Sequence, residues 1–237
     1  MRKSYVVLAL IFAIGIASMV ISLVPSCPLD AFVSWGLVTA AVGVLAIAAF
    51  FFEFEARAVS SKEVALVAML GTLSAVLRLP FAAVPGVQPS TFLVICSGYV
   101  FGPVAGFVVG AMTALCSNFF LGQGPWTPYQ MLAWGLIGVA SAYVGRLKLG
   151  RVWLICFGCL SGFLYGWMVN TWFWASFVYP LTVRTFLVTQ LGSVWFDASH
   201  AVGNALFLGL FGAKTIAILE RFSERFNWRF SRGQAGT

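Results

Sequence analysis

The last apolar segment of the chain carries an acid and a base whose spacing could support proton transfer. Asp197 and His200 lie three residues apart, so a helix places both on one face, and Asn204 extends that face by one turn. Asn170, on the preceding segment, could join them. Ionisable side chains inside a membrane are costly and usually serve function, and general acid–base catalysis requires such a pair. Asp197 could instead form a structural pair with His200 or Arg184, so both roles stay open.

A second set of polar and aromatic residues surrounds Gly122–Tyr129, whose sequence GQGPWTPY predicts a rigid aromatic loop between two apolar segments. Aromatic walls exclude water, and Arg78 or Arg184 could orient a carboxylate or phosphate of a ring-bearing solute. The same residue types also anchor helices at the membrane interface, so Trp126 and Arg78 are open to that simpler interpretation. The residues that we predict to bind a substrate are Arg78, Gln88, Asn118, Gln123, Trp126, Tyr129, Gln130, Trp134, Asn170, Arg184, Asp197 and His200.

One predicted helix has small residues along a single face. They are Ala68, Gly71, Thr72 and Ala75, at positions i, i+3, i+4 and i+7. Small faces let a second helix approach closely, so this face could dock another membrane protein or pack within the chain. Glycine pairs four residues apart also occur at Gly106/Gly110 and Gly158/Gly162, and we assign these pairs to packing within the chain.

The composition assigns these residues to an integral membrane protein. Of 237 residues, 61% are apolar and 9% are charged, and the mean hydropathy is +0.96. A soluble domain has about 25% charged residues. The apolar runs lack the alternation of barrel strands, so we predict a helical bundle.

Hydropathy predicts the apolar segments that position the candidate site. They are Tyr5–Val24, Phe32–Phe52, Glu63–Leu79, Thr91–Phe101, Val104–Phe120, Gln130–Val144, Val152–Tyr179 and Thr189–Leu219. About 20 residues of helix cross a bilayer, so Thr91–Phe101 cannot span unless it is extended or packs inside the protein. The basic start Arg2–Lys3 resembles a signal peptide, but the length of the first segment indicates a retained helix.

Basic residues give the predicted orientation. If the N-terminus is cytoplasmic and each apolar segment crosses the membrane, 12 of the 14 Lys and Arg residues lie on the cytoplasmic side, as the positive-inside rule requires. The two exceptions are Arg78 and Arg184. Both termini are then cytoplasmic, and the aromatic loop faces outward. The net charge of +7 follows from these loops and requires no nucleic-acid partner. The tail Glu220–Arg232 predicts an interfacial helix on an anionic lipid surface.

Motifs for catalysis are largely missing. The sequence has no HExxH, GxSxG or Walker-A pattern. Cys156 and Cys159 form a CxxC within an apolar segment, where buried packing is favoured over metal or redox chemistry. We therefore predict a binding protein without enzyme activity, cofactor or metal site. The alternatives are a membrane scaffold that meets a protein partner and a lipid-modifying enzyme that uses Asp197 and His200.

From Ser61 onward the chain resembles the substrate-binding (S) component of energy-coupling factor (ECF) vitamin transporters. The likeness rests on the helix ALVAMLGTLSAVLRLP, the junction GYVFGPVAGFVVG, the loop GQGPWTPYQM and six segments between Glu63 and Leu219. It covers about three quarters of the chain. The two helices within Tyr5–Phe52 are additions to the six-helix plan.

The resemblance implies an all-α membrane protein with a six-helix substrate-binding core at residues 59–219. Two extra transmembrane helices at residues 1–58 precede this core, and a basic amphipathic cytoplasmic tail at residues 220–237 follows it. The implied substrate is a vitamin-like small molecule captured at the outer face of the cell membrane. The loop resembles that of a subgroup for cobalamin or a related corrinoid, while flavins, pterins and lipoate are the other candidates.

The resemblance also implies partners. An S component docks on a transmembrane coupling protein that two cytoplasmic ATPases drive, so ATP hydrolysis would belong to those partners. The docking face in the family is a small-residue face on the first core helix. Ala68/Thr72 and Gly71/Ala75 match that face here, although Thr72 departs from the alanine of the family pattern.

Overall fold

The structure, a computed structural model, describes residues 3–23, 35–57, 61–148 and 150–225, and every regular element in these ranges is a helix. The helices are α1 (Lys3–Leu23), α2 (Trp35–Arg57), α3 (Ser61–Phe81), α4 (Ser90–Phe101), α5 (Pro103–Leu121), α6 (Trp126–Arg146), α7 (Arg151–Phe177), α8 (Val183–Gly192), α9 (Val194–Phe207) and α10 (Ala213–Arg225). A π-helical turn, Leu208–Gly212, joins α9 to α10. Among the described residues, α3, α5, α7 and the continuous stretch Val194–Arg225 are long and apolar enough to cross a membrane. The predicted all-α integral membrane fold is confirmed.

Helix α4 is short and lies inside the bundle. It has 12 residues, and its side chains from Ser90 to Gly98 are buried. It ends at Gly102, whose φ of 94° is a left-handed conformation that glycine adopts without strain. Pro103 then starts α5 at a position where the missing N–H interrupts no helical hydrogen bond. Of the two possibilities considered for this segment, the structure shows packing inside the protein, with Tyr99 and Val100 partly exposed near the C-terminal end of α4.

Glycines bring α4, α5 and α6 into close contact. A Cβ atom added at Gly106 of α5 would lie 2.5 Å from the carbonyl oxygen of Gly138 in α6. One added at Gly110 would lie 2.5 Å from the backbone of Trp134, and Gly98 of α4 packs against the carbonyl of Gly138. Lipid provides no hydrophobic force between helices, so close backbone approach contributes much of their association. The predicted internal packing of Gly106/Gly110 is confirmed.

A second glycine stripe joins α7 to α9. Gly158, Gly162 and Gly166 are spaced four residues apart along α7, on the side that faces α9. A Cβ atom at Gly162 would lie 2.5 Å from the backbone nitrogen of Ala201. Gly166 packs directly against the carboxylate of Asp197. The predicted internal packing of Gly158/Gly162 is therefore confirmed. The glycine stripe also fixes how closely α9, with its polar residues, packs against α7.

Helices α1 and α2 pack on the bundle. Ile11 and Val42 have no exposed surface. Phe12 of α1 meets Phe107 of α5 edge to face, with ring centroids 5.9 Å apart. The two additional helices thus share a continuous apolar core with α5. The division of the chain at residues 58 and 219 stays a prediction.

The predicted aromatic loop is shorter than expected. Trp126 begins α6, so the connection from α5 ends at Pro125 and Trp126–Tyr129 forms a helical turn. Pro128 is compatible with this turn because the first N–H groups of a helix have no intrahelical partner. The predicted loop Gly122–Tyr129 is therefore wrong for Trp126–Tyr129, which is helical.

The last predicted segment, Thr189–Leu219, is interrupted. Helix α8 ends at Gly192 and α9 starts at Val194, because glycine is a poor helix former and Ser193 leaves the regular helix. The chain from Val194 then continues as helix through α10 to Arg225. The part of the predicted tail after Arg225 lies outside the described residues.

Candidate functional site

Arg78 is the charged centre of the candidate site. It lies in the last turn of α3, at what we call the site end of the bundle, where α3, α5 and α7 end and α6 and α9 begin. Its side chain is 7% exposed, and Nη1 donates to Ser117 Oγ and Asn118 Oδ1, both at 2.7 Å. The guanidinium carbon lies 5.0 Å from the ring centroid of Trp134, a cation–π contact. Within the described chain, Arg78 pairs with no carboxylate, and its buried Nε has no hydrogen bond.

Asn118 extends this centre toward α6. Its Nδ2 donates to Thr127 Oγ1 at 2.9 Å and to Gln130 Oε1 at 2.8 Å. Thr127 in turn donates to Gln123 Oε1 at 2.9 Å. Thr127 and Gln130 are three residues apart in the first turns of α6, so both reach the same side chain. The structure thus brings together four predicted residues, Arg78, Asn118, Gln123 and Gln130.

A second line of contacts runs from Trp134 to α9. Trp134 Nε1 donates to Thr91 Oγ1 at 2.9 Å, and Thr91 Oγ1 lies 2.7 Å from His200 Nε2. The ring of Tyr165 lies between these two predicted residues. Its centroid is 4.5 Å from that of Trp134, and it meets His200 edge to face at 5.1 Å. Because Trp134 also lies beneath Arg78, His200 connects to the charged centre through Thr91 and Trp134.

Aromatic side chains of α6 and α7 line the same end. The ring of Trp172 lies 6.2 Å from Trp126 and 5.9 Å from Tyr129, and Phe177 meets it edge to face at 5.6 Å. Trp172 Nε1 is buried without a hydrogen bond. Such a cluster excludes water and offers flat surfaces to a ring-bearing ligand.

Asp197 belongs to a different group. Its Oδ2 accepts from Ser193 Oγ at 3.0 Å and lies 3.5 Å from Asn170 Nδ2, so the predicted association with Asn170 is present. Within the described chain Asp197 bonds neither His200 nor Arg184, so the structural pairs considered above do not form. The acid–base pair of the lipid-enzyme alternative also lacks its hydrogen bond.

Among the described residues, Gln88 and Arg184 share no hydrogen bond with the charged centre. Gln88 is half-buried, and its Oε1 is buried without a hydrogen bond. Arg184 is exposed on α8, at an open groove of about 580 Å³ that Val178, Pro180 and Thr185 also line. Their roles in substrate binding stay predictions.

The predicted docking face divides in two. Gly71 and Ala75 are buried, and a Cβ atom at Gly71 would lie 2.9 Å from Met112 Cβ of α5, so packing within the chain holds this pair. Ala68 and Thr72 are exposed, and the Thr72 hydroxyl donates to the carbonyl of Ala68 at 2.9 Å. A partner helix could therefore reach Ala68 and Thr72 alone of the four.

The cysteines do not all pack in the interior. Cys96 is buried, whereas Cys156 is exposed beside Val152 and Trp153, on the side of α7 that faces away from the bundle. The expectation of buried packing is therefore wrong for Cys156. Cys27 lies outside the described residues. Among the residues that are described, no three His, Cys, Asp or Glu side chains form a group that could hold a metal ion.

Sequence reasoning missed Ser117, Thr127 and Thr91. Serine and threonine in membrane helices commonly bond a carbonyl of their own helix, as Ser117 also does at Thr113, so their types alone carry little signal. The signal that was present is position, because Ser117 precedes Asn118 and Thr127 stands three residues before Gln130.

Comparison with known proteins gives one match. The model of the family described as ECF transporter, substrate-specific component, matches residues 62–219, which is more than half of the chain. Neither a curated protein nor a solved structure matches. The matched range begins in the first turn of α3 and ends within α10, so it contains every residue of the charged centre. The chain belongs to the family of ECF transporter substrate-specific components, the substrate-binding subunits of these transporters.

Proposed function

We propose that the chain captures an anionic, ring-bearing molecule of vitamin size at the site end, on the outer side of the membrane. The observation that carries the proposal is the buried guanidinium of Arg78, which has neutral hydrogen-bond partners and an unsatisfied Nε. A buried charge without a partner is unfavourable by several kcal/mol. A carboxylate or phosphate of the substrate would supply the missing counter-charge and accept from the remaining N–H groups.

The surroundings of Arg78 favour a flat substrate with several hydrogen-bonding groups. Trp134 lies against the guanidinium, and Asn118 and Gln130 place amide groups beside it. The cluster around Trp172 adds aromatic surface at the same end. We propose cobalamin or a related corrinoid as the first candidate, because the corrinoid has amides and a phosphate on a large ring system. Flavins, pterins and lipoate share the anion or the ring and are the competing ligands.

Delivery would use the partners of the family. We propose that Ala68 and Thr72 of α3 meet a helix of the transmembrane coupling protein, and that two cytoplasmic ATPases provide the energy. The exposed side of α3 supports this, since the Thr72 hydroxyl is satisfied within its own helix and leaves a small, smooth surface. The chain itself then binds and releases its substrate without a chemical step.

Thermal unfolding with a ligand panel tests the binding proposal. Purified protein would be melted with cyanocobalamin, its phosphate-free analogue cobinamide, riboflavin, flavin mononucleotide, folate and lipoate. A ligand that binds only the folded state raises the melting temperature, and the rise increases with the logarithm of the ligand concentration above the dissociation constant. We expect at least one member that carries an anionic group to stabilise the protein. If that member is cyanocobalamin or flavin mononucleotide, cobinamide or riboflavin should stabilise it more weakly.

Arg78→Gln and Arg184→Gln form the matched pair of variants, since each removes one positive charge from the same end. Removing one partner of a buried ion pair costs about 3–5 kcal/mol, whereas an exposed pair contributes about 0–1 kcal/mol. Arg78→Gln should therefore weaken binding by at least about 100-fold, and Arg184→Gln by less than about tenfold. Equal affinity of wild type and Arg78→Gln would overturn the assignment of the anion site.

A further inference from the structure

We propose that a compact monovalent cation binds between α7, α8 and α9, among the side chains of Asp197, Ser193, Asn170 and Gln190. An alkali ion in solution and the ammonium group of a ligand present the same chemistry to these oxygens. The group shares no hydrogen bond with the Arg78 centre, so the proposal does not rest on the identity of the substrate bound there.

The first observation is a buried carboxylate without a counter-charge. Asp197 is 4% exposed, and its Oδ1 accepts no hydrogen bond from the described residues. No Lys, Arg or His nitrogen in the described ranges forms a salt bridge with it. Gly166 lets the backbone of α7 pack directly against this carboxylate, on the side of Oδ1. A bound cation would balance the charge where no side chain does so.

The second observation is the arrangement of acceptors around one amide. Asn170 Nδ2 lies 2.6 Å from Ser193 Oγ, 3.4 Å from Gln190 Oε1 and 3.5 Å from Asp197 Oδ2. An amide nitrogen carries two protons and cannot donate to three acceptors at once. Rotating the Asn170 amide by half a turn would place its oxygen at this position instead. The oxygens of Asn170, Ser193, Gln190 and Asp197 would then form one cluster that carries a single negative charge.

The ligand types select the class of ion. Carboxylate, hydroxyl and amide oxygens suit hard cations, whereas imidazole and thiolate ligands favour zinc and other transition metals. One carboxylate balances one positive charge, so a monovalent ion leaves the buried group neutral. The described residues around Asp197 contribute no imidazole or thiolate to its hydrogen bonds.

A groove reaches two members of this group. An open groove of about 420 Å³ lies against this group, and Asn170 and Ser193 form part of its lining with Phe173, Val188 and Phe196. Ser193 is also the residue at which α8 gives way to α9. A cation would therefore bridge the interruption between these helices and the end of α7, and its binding would stabilise their relative positions.

The test measures thermal unfolding of the purified full-length chain in different chloride salts at constant ionic strength. The bulky cation N-methyl-D-glucamine is the reference, and sodium, potassium, ammonium and methylammonium are the probes. We expect at least one probe to raise the melting temperature by about 3 °C or more at tenfold its half-saturating concentration, with a logarithmic rise above that concentration. A response to sodium or potassium indicates an alkali ion, and a response to ammonium and methylammonium alone indicates the amine of a ligand.

Variants separate this site from a general salt effect. Asp197→Asn should melt at the same temperature in every salt and above the wild type in the reference salt, because it removes an unpaired buried charge. If Asp197→Asn does not fold, Ser193→Ala should raise the half-saturating concentration by about tenfold or more. Ser199→Ala is the control, since its hydroxyl bonds the carbonyl of Trp195 within α9.

Two results would overturn the proposal. One is a wild-type melting temperature that is the same in all five salts. The other is a response to the cation that Asp197→Asn, or Ser193→Ala in its place, retains at wild-type strength. Neither result depends on whether a vitamin binds at Arg78, because all five salts are compared on the same preparation of each protein.

Discussion

The glycine stripe of α7 makes the position of α9 sensitive to a single methyl group. In Gly162→Ala the new Cβ atom would lie 2.5 Å from the Ala201 nitrogen and 3.0 Å from the His200 carbonyl carbon. Carbon contacts are normally about 3.5 Å, so α9 must move away by about 1 Å. The displacement would stretch the 2.7 Å contact between Thr91 and His200 beyond hydrogen-bonding range.

The cost of this change follows from the contacts involved. Overpacking costs about 1–3 kcal/mol and a lost buried hydrogen bond about 1 kcal/mol, whereas replacing glycine by alanine within a helix returns up to about 1 kcal/mol. The net loss is then about 1–3 kcal/mol. For a chain of this size each kcal/mol lowers the melting temperature by about 2–4 °C. We expect Gly162→Ala to melt about 3–10 °C below the wild type.

The assay is thermal unfolding of the purified proteins in detergent, followed by size-exclusion chromatography of the folded fraction. Gly192→Ala is the matched control, because a Cβ atom there meets nothing within 4 Å. The control should melt at or slightly above the wild-type temperature. A Gly162→Ala protein that is as stable as the control would refute the inferred packing of α7 against α9.

Two further substitutions test the docking face and the charged centre. Ala68→Leu should abolish co-purification with the coupling protein. The control Val202→Leu, on the exposed side of α9, should leave co-purification unchanged. Loss of co-purification in both variants, or in neither, argues against docking at α3. Asn118→Ala removes one acceptor from Arg78 and should weaken substrate binding by about tenfold or more. Its melting temperature would serve as the folding control, and full affinity in a folded variant would show that the Arg78–Asn118 hydrogen bond does not prepare the site.

The sequence was informative where a residue type is rare for its surroundings. Arg78 stands out because charged residues are costly inside a membrane, and Asn118 and Gln130 stand out for their amides. The structure places these three in one hydrogen-bonded group. The glycine pairs were likewise predictable, since small residues four apart admit a neighbouring helix.

The sequence alone did not predict which residues of different helices contact each other. The periodicity that places Asp197 and His200 on one face of α9 is a local property, and the prediction that Asn170 joins this face is confirmed for Asp197. Ser193 is a local partner, four residues before Asp197, whereas the contact of His200 with Thr91 depends on which turn of α4 lies opposite α9. A helix face of small residues is similarly ambiguous. Whether it packs within the bundle or faces a partner depends on the orientation of the whole helix.

The central claim is that Arg78 holds the substrate of this S component. Native mass spectrometry of gently purified wild type and Arg78→Gln tests it most directly, because a molecule captured from the cell is weighed on the intact protein. The claim predicts a vitamin-sized mass on the wild type that is missing from a folded Arg78→Gln variant. The same molecule at equal occupancy on both proteins would contradict it.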